Sequence, residues 1–431
     1  MTDNILIDLS YYLKDTNILK VLLPIIDQFL RYTFKTNEEL KHAVDKWCDK
    51  RYKKIYGHIS YWNTKYITDM SNLFVNKENF NDNISFWNTS NVANMNCMFV
   101  NAISFNKPLN WDTSNVTDMR YMFLNAKSFN CALNWDTSKV IITRSMFHDA
   151  NLFNQPLAWN TSNVINMTSM FENAKSFNQQ LNFDVSKVNK IQYMFKEAES
   201  FNQFLNFKNT SNITNMTGIF NGAKLFNKPL DWNTCNVRYM ISAFERAVSF
   251  NQPLNWNTSK VKDMQHIFNH SSSFNQSLKW NTCNVKNMES MFENAKSFNQ
   301  SLKWNTSNVM NMESMFENAK SFNQSLDFDT SNVYDMSDMF HNATLFNQKL
   351  NFDTSNVMCM EHMFQYASSF NQPLNNWHIC NVTNMSLMFN NAISFNQLLD
   401  NWDTSKISKF DNMFDHCPIS EENKLKFEIN Y

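Results

Sequence analysis

Trp111-Asp112-Thr113-Ser114-Asn115-Val116-Thr117-Asp118-Met119-Arg120-Tyr121-Met122-Phe123-Leu124-Asn125-Ala126-Lys127-Ser128-Phe129-Asn130-Cys131-Ala132-Leu133-Asn134 is one period of a phrase that recurs along most of the chain. The aromatic that opens it stands at Trp62, Trp87, Trp111, Trp135, Trp159, Phe183, Phe207, Trp232, Trp256, Trp280, Trp304, Phe328, Phe352, Trp377 and Trp402. That makes 15 units, with ten steps of 24 residues and four of 25. A fixed period in this range predicts a stacked solenoid, in which no unit can bury its apolar face alone. A chain of 431 residues would otherwise divide into two or three globular domains. A solenoid escapes that limit because its core grows along one axis.

Within the phrase the apolar spacing changes period. Val116, Met119, Met122, Phe123 and Ala126 fall at helical intervals and predict a short α or 3₁₀ helix over Val116 to Asn125. Thr113 and Ser114 precede it, where a hydroxyl can accept from free helical N–H groups. Leu133 and Trp135 alternate about Asn134, which predicts a short strand within 129–135 that stacks into one parallel sheet. Pro108, Pro156, Pro229, Pro253 and Pro373 fall in this segment and cannot donate to a ladder, so the regular strand shrinks to three or four residues. The expected fold is an α/β repeat solenoid of about 15 units, each a short strand plus a short α/3₁₀ helix.

Two phenylalanine columns, typified by Phe123 and Phe129, recur so regularly that each ring is expected to stack on its equivalents in neighbouring units. The Asn that follows the second Phe, as at Asn106, Asn130 and Asn154, is expected to form an inward ladder that satisfies backbone groups of neighbouring turns. The chain holds only 3 glycines, so asparagine, which visits the left-handed region readily, is expected to turn the corners.

Residues 1–57 lack the repeat and are read as a helical N-terminal region and cap. Glu38 to Tyr52 places Leu40, Ala43, Val44 and Trp47 on one helical stripe, with Thr36 or Asn37 as N-cap. Pro24 breaks or starts an earlier helix at Leu23. The array itself spans 58–417, and 418–431 reads as a C-terminal tail or cap, because an uncovered last repeat would expose its apolar face.

Composition narrows function by exclusion. Net charge is −1 and pI about 6.7, so no bulk basic field exists to hold nucleic acid. The 8 cysteines form no C-x-x-C pair and read as free thiols of a reducing compartment. Met1 to Ser10 lacks the pattern of a secretory signal, and the longest apolar stretch, Ile18 to Ile26, carries Lys20 and Pro24. No membrane insertion is expected, and the location is read as intracellular (cytosolic), with virion association as the alternative. His266 and His270 are four apart on the predicted helix, and Cys359 and His362 share a face, but neither pair has the further ligands of a metal site. Asp335 and Asp338 read as solvated acids, and Lys279 and Lys303, flanked by Asn255 and Asp327, as a small basic spot. The 26 methionines mostly sit at core spacing. No catalytic, cofactor-binding or metal residue is expected, no cofactor, and no enzymatic activity.

The phrase Trp111 to Met119, followed by Met122-Phe123 and Ser128-Phe129-Asn130, resembles the BspA-like leucine-rich repeat family. Glu39 to Asp45 and Tyr56-Gly57-His58-Ile59 resemble the lead-in to its first repeat, so the likeness covers about 37–417. The resemblance implies a leucine-rich-repeat-like solenoid and brings no catalytic residues with it. It also implies kinship with bacterial surface proteins and with expansions in protists and large DNA viruses. Surface-anchored members carry export signals and wall-sorting tails, neither of which is read here. Asn-, Lys- and Phe-rich composition suits an AT-rich genome and a viral or protist source. The expected function is a non-enzymatic protein–protein interaction scaffold with an unidentified protein partner. The alternatives are a virion- or surface-associated adhesive protein binding host protein or glycan, and an adaptor recruiting a partner through residues 1–57. Within those, Leu23-Pro24-Ile25-Ile26 resembles the opening of an F-box.

Overall fold

The computed structural model describes residues 31–49 and 56–424, which form two compact units, Met1–Val164 and Ile165–Tyr431. The division falls inside the repeat array rather than at its ends. The expectations for Pro24, Leu23 to Ile26, Tyr52 and the tail beyond Lys424 lie outside the described residues.

The first unit opens with α1, Asn37–Cys48. Thr36 is its N-cap: the hydroxyl accepts the Glu39 N–H at 3.1 Å, while the Glu39 carboxylate accepts the Lys35 N–H at 2.8 Å. This reciprocal arrangement holds down the first turn. Leu40, Ala43, Val44 and Trp47 are buried, as their spacing predicts. The Trp47 ring meets Trp62 edge-on at 6.0 Å, and its Nε1 donates to Asp82 at 2.8 Å. Thus α1 covers the aromatic end of the first repeats. A single 3₁₀ turn, Ile59–Tyr61, follows.

No further helix occurs among the described residues, and Val116 to Asn125 does not form the expected helix. Met119, Tyr121, Phe123 and Asn125 donate their N–H groups to Ile142, Arg144, Met146 and His148 of the next repeat, at 3.1, 2.8, 2.9 and 2.7 Å. The alternate residues Met122, Leu124 and Ala126 donate to carbonyls three residues back, at 3.3, 3.1 and 3.0 Å. Tyr121 and Asn125 have φ of 59° and 57°. Met119–Met122 and Phe123–Ala126 are therefore turns with a left-handed third residue, the type II pattern. An α-helix keeps its N–H bonds within one segment. Here every second one leaves for the neighbour, and the left-handed residues forbid a continuous helix. The apolar spacing is the same in both structures, which is why it misled.

The second unit repeats the pattern. Met288, Ser290, Phe292 and Asn294 donate to Asn311, Glu313, Met315 and Glu317 at 3.1, 2.8, 3.0 and 2.7 Å. Asparagine serves only part of the left-handed demand. It holds one column at Asn101, Asn125, Asn294 and Asn318, but Cys97, Tyr121, Ser290 and Ser314 occupy the other. The repeat 218–222 is the exception, with glycine at both places (φ 58° and 71°). A Cβ on Gly218 would lie 2.4 Å from the Tyr193 ring, and one on Gly222 would lie 2.5 Å from the Glu197 carboxyl carbon. The side chains of the preceding repeat fill the space that other repeats leave for their own.

The parallel ladder runs mainly along another column than the predicted strand, which keeps bridges only in some repeats. Isolated parallel bridges join Asp69, Asn94, Asp118 and Ile142 in the first unit, and Asp263, Asn287, Asn311, Asp335 and Cys359 in the second. In the Leu-x-Trp segment, bridges form at Leu181–Leu205, Leu302–Leu326 and Leu326–Leu350. Each has Phe rather than Trp in its downstream repeat: Phe207, Phe328 and Phe352. Elsewhere an indole takes the leucine carbonyl, as when Trp304 Nε1 donates to Leu278 O at 3.1 Å. Trp and backbone compete for one acceptor, and Phe concedes it. Trp232, one repeat after Phe207, is left with a buried Nε1 that has no partner.

Side chains complete the stack in columns. Phe74, Phe99, Phe123 and Phe147 stack at 5.2, 5.5 and 5.6 Å with planes within 4°. Phe123 also lies over Phe129 at 4.1 Å. In the second unit Phe292 and Phe316 stack at 5.7 Å. Val116, Met119, Met122 and Ala126 are fully buried, so the methionines pack the core as expected. Thr113 does not cap a helix: its buried Oγ1 donates to Asp136 O of the next repeat at 2.8 Å. Asp112 Oδ1 instead accepts the Ser114 N–H at 3.0 Å, an Asx turn. The asparagine ladder exists, with the Asn130 N–H donating to Asn106 Oδ1 at 3.0 Å and the Asn299 N–H to Asn275 Oδ1 at 2.9 Å. It runs along the rim, with Asn106 exposed and Asn130 half-buried, rather than inward. Each carboxamide has more polar atoms than the ladder uses, and full burial would strand the remainder. At the end of the described chain, Ser420 N–H donates to Asn396 Oδ1 at 2.9 Å, so the tail occupies the next rung.

Phe292→Ala is expected to cost about 3–5 kcal/mol in urea unfolding, because a stacked ring leaves a cavity that neighbours cannot close. Trp304→Phe is expected to cost no more than about 2 kcal/mol, since a backbone N–H can take the released Leu278 carbonyl. Equal losses for the two variants would contradict the competition described above.

Candidate functional site

Any site must use positions that stacking leaves free, and the repeats opened by Trp304, Phe328 and Phe352 offer two. The first is the residue after the buried valine. Met310, Tyr334 and Met358 hold this position and are 46%, 40% and 51% exposed. The Met310 N–H donates to Lys286 O at 2.9 Å, Tyr334 N–H to Met310 O at 3.0 Å, and Met358 N–H to Tyr334 O at 2.9 Å. They are therefore consecutive rungs, about 5 Å apart. The three preceding rungs carry exposed Arg238, Lys262 and Lys286, joined by the same backbone bonds at 2.9 Å. One stripe thus changes from cationic to apolar along its length. Large apolar side chains on adjacent rungs are not needed for stacking, because Asn and Thr occupy equivalent positions elsewhere.

The second is on the turn run of the same repeats. Glu317, Asp338 and His341 bring one ligand-type atom each to within 4.8 Å of one another. His341 Nδ1 lies 3.1 Å from Asp338 Oδ1 and 3.8 Å from Glu317 Oε1, and His362 Nδ1 lies 3.3 Å from Asp338 Oδ1. Asp338 and His362 are left-handed turn residues of successive repeats, with φ of 56° and 53°. Glu317 and His341 share the position three residues further on. The stack, not the local sequence, brings them together.

This region carries more negative charge than its partners balance. The Glu313 carboxyl is pushed above the ordinary glutamate value by burial first, then by Asp335, Glu289 and Asp338. The Glu317 carboxyl is also raised, chiefly by burial, against the hydrogen bond from Ser314. Among the described residues no lysine or arginine forms an ion pair with Glu313, Glu317, Asp335 or Asp338. The ion pairs here are with histidine.

Residues singled out from the sequence fare unevenly. His266 and His270 are not on a helix; they occupy the two left-handed positions of one repeat, at 55° and 58°. His266 Nε2 lies 3.7 Å from Glu289, while His270 pairs with Asn269. Cys359 stands on the bridge column, and burial raises its thiol pKa; its helical pairing with His362 is lost with the helix. Asp335 and Asp338 separate, with Asp335 on the bridge column and Asp338 in the histidine cluster. Lys279 and Lys303 do share a cavity of about 400 Å³, with Ser277, Leu278, Trp280 and Ser301. Among the described residues no cysteine is in a disulfide. The cluster of Glu317, Asp338, His341 and His362 has no local sequence signature, because its members are 3, 21 and 24 residues apart. Aligning repeats by column would have placed Glu317 beside His341 and Asp338 beside His362.

Residues 47–158, 132–231, 204–301, 229–328, 254–351 and 326–427 each match the family described as Mycoplasma protein of unknown function, DUF285. The chain belongs to this family. Successive overlapping matches carry the repeat-family resemblance drawn from Trp111 to Asn130 across nearly the whole described chain. The description names Mycoplasma, and it does not show the viral or protist source read from composition. No curated protein matches. Among solved structures, the chain is similar to one described as the TLR13–ssRNA13 complex, at 10% identity and a TM-score of 0.22. That likeness covers 88% of this chain and 60% of the other, and at this TM-score it carries no argument. Among the described residues no helix is long and apolar enough to cross a membrane.

Glu313→Gln supplies a test of the charge surplus. A raised carboxyl pKa favours the folded state at low pH, and that advantage is lost as pH rises from the ordinary value through the folded one. In buffer containing a chelator, the variant is expected to melt above the wild type at pH 7.5 and at the same temperature near pH 3.5. A melting difference that is independent of pH would remove the electrostatic explanation.

Proposed function

We propose that this chain is a non-enzymatic repeat scaffold that binds a partner protein along the stripe of Arg238, Lys262, Lys286, Met310, Tyr334 and Met358. The observation that carries the reading is the exposure of three large apolar side chains on adjacent rungs of a rigid ladder. Aromatic and methionine side chains are enriched in interface cores, whereas charges suit the rim. A partner segment that is apolar at one end and acidic at the other matches this order. Backbone bonds between rungs hold the side chains in fixed register, so little ordering entropy opposes binding. Cysteines outside any disulfide suit a reducing compartment, which supports a place inside the cell.

Capture from cells of the natural source tests the proposal. Tyr334→Ala combined with Met358→Ala is expected to abolish capture of the principal partner, with the melting temperature kept within about 3 °C because exposed positions are cheap to change. Lys262→Glu with Lys286→Glu is expected to weaken capture mainly at low salt. Undiminished capture by both double variants would refute the stripe, and turnover of any substrate by the purified chain would refute the non-enzymatic reading.

A further inference from the structure

We propose that Glu317, Asp338, His341 and His362 form a binding site for a borderline divalent metal ion of the zinc class. The proposal is separate from the partner-binding stripe, and its failure would leave that stripe untouched.

Geometry is the first support. Ligand atoms of Glu317, Asp338 and His341 all lie within 4.8 Å of one another, with 3.1 Å for Asp338–His341 and 3.8 Å for Glu317–His341, and His362 approaches this trio through Asp338 at 3.3 Å. A tetrahedral ion with bonds of about 2.0–2.1 Å requires edges of about 3.3–3.4 Å. Glu317, Asp338 and His341 are thus close to these edges, and His362, already beside Asp338, would turn toward them as the fourth ligand. Two imidazoles and two carboxylates also match the ligand preference of zinc, whereas calcium and magnesium favour all-oxygen sets.

Construction is the second support. The four residues come from three consecutive repeats, and Asp338 and His362 are placed by the turns that exchange backbone bonds between repeats. The Asp338 N–H donates to Glu361 O at 2.9 Å and the His362 N–H to Ser386 O at 3.0 Å. Ser314 Oγ donates to Glu317 Oε2 at 2.8 Å and orients that carboxylate from behind, as an outer partner does in metal sites. All four side chains are 21–28% exposed, which leaves an approach for an ion from solvent.

Chemistry is the third. Each Nδ1 can offer at most one hydrogen to the carboxylates around it. Two imidazoles thus face a single Asp338 oxygen, Glu317 competes for His341, and among the described residues no lysine or arginine pairs with these carboxylates. A divalent cation satisfies all four ligands at once and offsets the charge.

The test titrates the full chain, stripped with a chelator, with Zn²⁺ alone by calorimetry, in parallel with Mg²⁺. One equivalent of Zn²⁺ is expected to bind at micromolar concentration or tighter and to raise the melting temperature, with no response to Mg²⁺. Asp338→Asn and His341→Gln are each expected to weaken that binding at least tenfold while keeping the metal-free melting temperature. Asn is at ease with the left-handed φ of 338. His266→Gln, at a histidine–glutamate contact in another repeat, is expected to leave it unchanged. Co²⁺ is expected to give the intense visible absorption of tetrahedral coordination in the wild type and not in Asp338→Asn. Absence of a saturable Zn²⁺ site, or full binding by both Asp338→Asn and His341→Gln, would overturn the proposal.

Discussion

Everything in this protein depends on where alternate backbone N–H groups go. In the turn run, one N–H closes a turn within its own repeat and the next crosses to the following repeat. A repeat taken alone would leave about half of these donors unsatisfied, and each such group is costly when buried. The repeats must therefore stack, and the stacking period dictates which side chains become neighbours. Aromatic columns, the threonine hydroxyls and the asparagine rim follow from that repeated geometry.

The constraint explains substitutions that composition alone makes look arbitrary. Replacing Trp by Phe at Phe207, Phe328 or Phe352 removes an indole donor, and a parallel bridge forms at the leucine whose carbonyl the indole would take. Glycine at 218 and 222 makes room for Tyr193 and Glu197 of the preceding repeat rather than supplying a conformation other residues refuse. Tyr121, Ser290 and His362 all adopt that conformation, held there by bonds on both sides of the turn. The strain of a left-handed side chain, about 1–2 kcal/mol per residue, is offset by the bonds that the turn makes possible.

A second consequence is that residues far apart in sequence share one environment. Glu317 and His341 stand 24 residues apart, and His341 meets Asp338 only because a turn brings a position three residues away to the same side. His266 with His270, and Cys359 with His362, stand at helical spacing and would pair only on a helix, which the turns replace. Legible in the sequence were the period, the buried columns, α1 with its Thr36 cap and the asparagine ladder. The histidine–carboxylate cluster and the Met310–Tyr334–Met358 stripe required knowing which rungs adjoin.

By itself, the sequence determined that the chain repeats, which side chains are buried and that the repeats must stack, because apolar residues recur at fixed places with nothing else to cover them. Tertiary structure decided whether that spacing means helix or turn. Val116, Met119, Met122, Phe123 and Ala126 face inward in either case. Only a neighbouring carbonyl within reach of every second N–H tips the balance to turns. That carbonyl belongs to the next repeat, so no window shorter than two repeats contains the information.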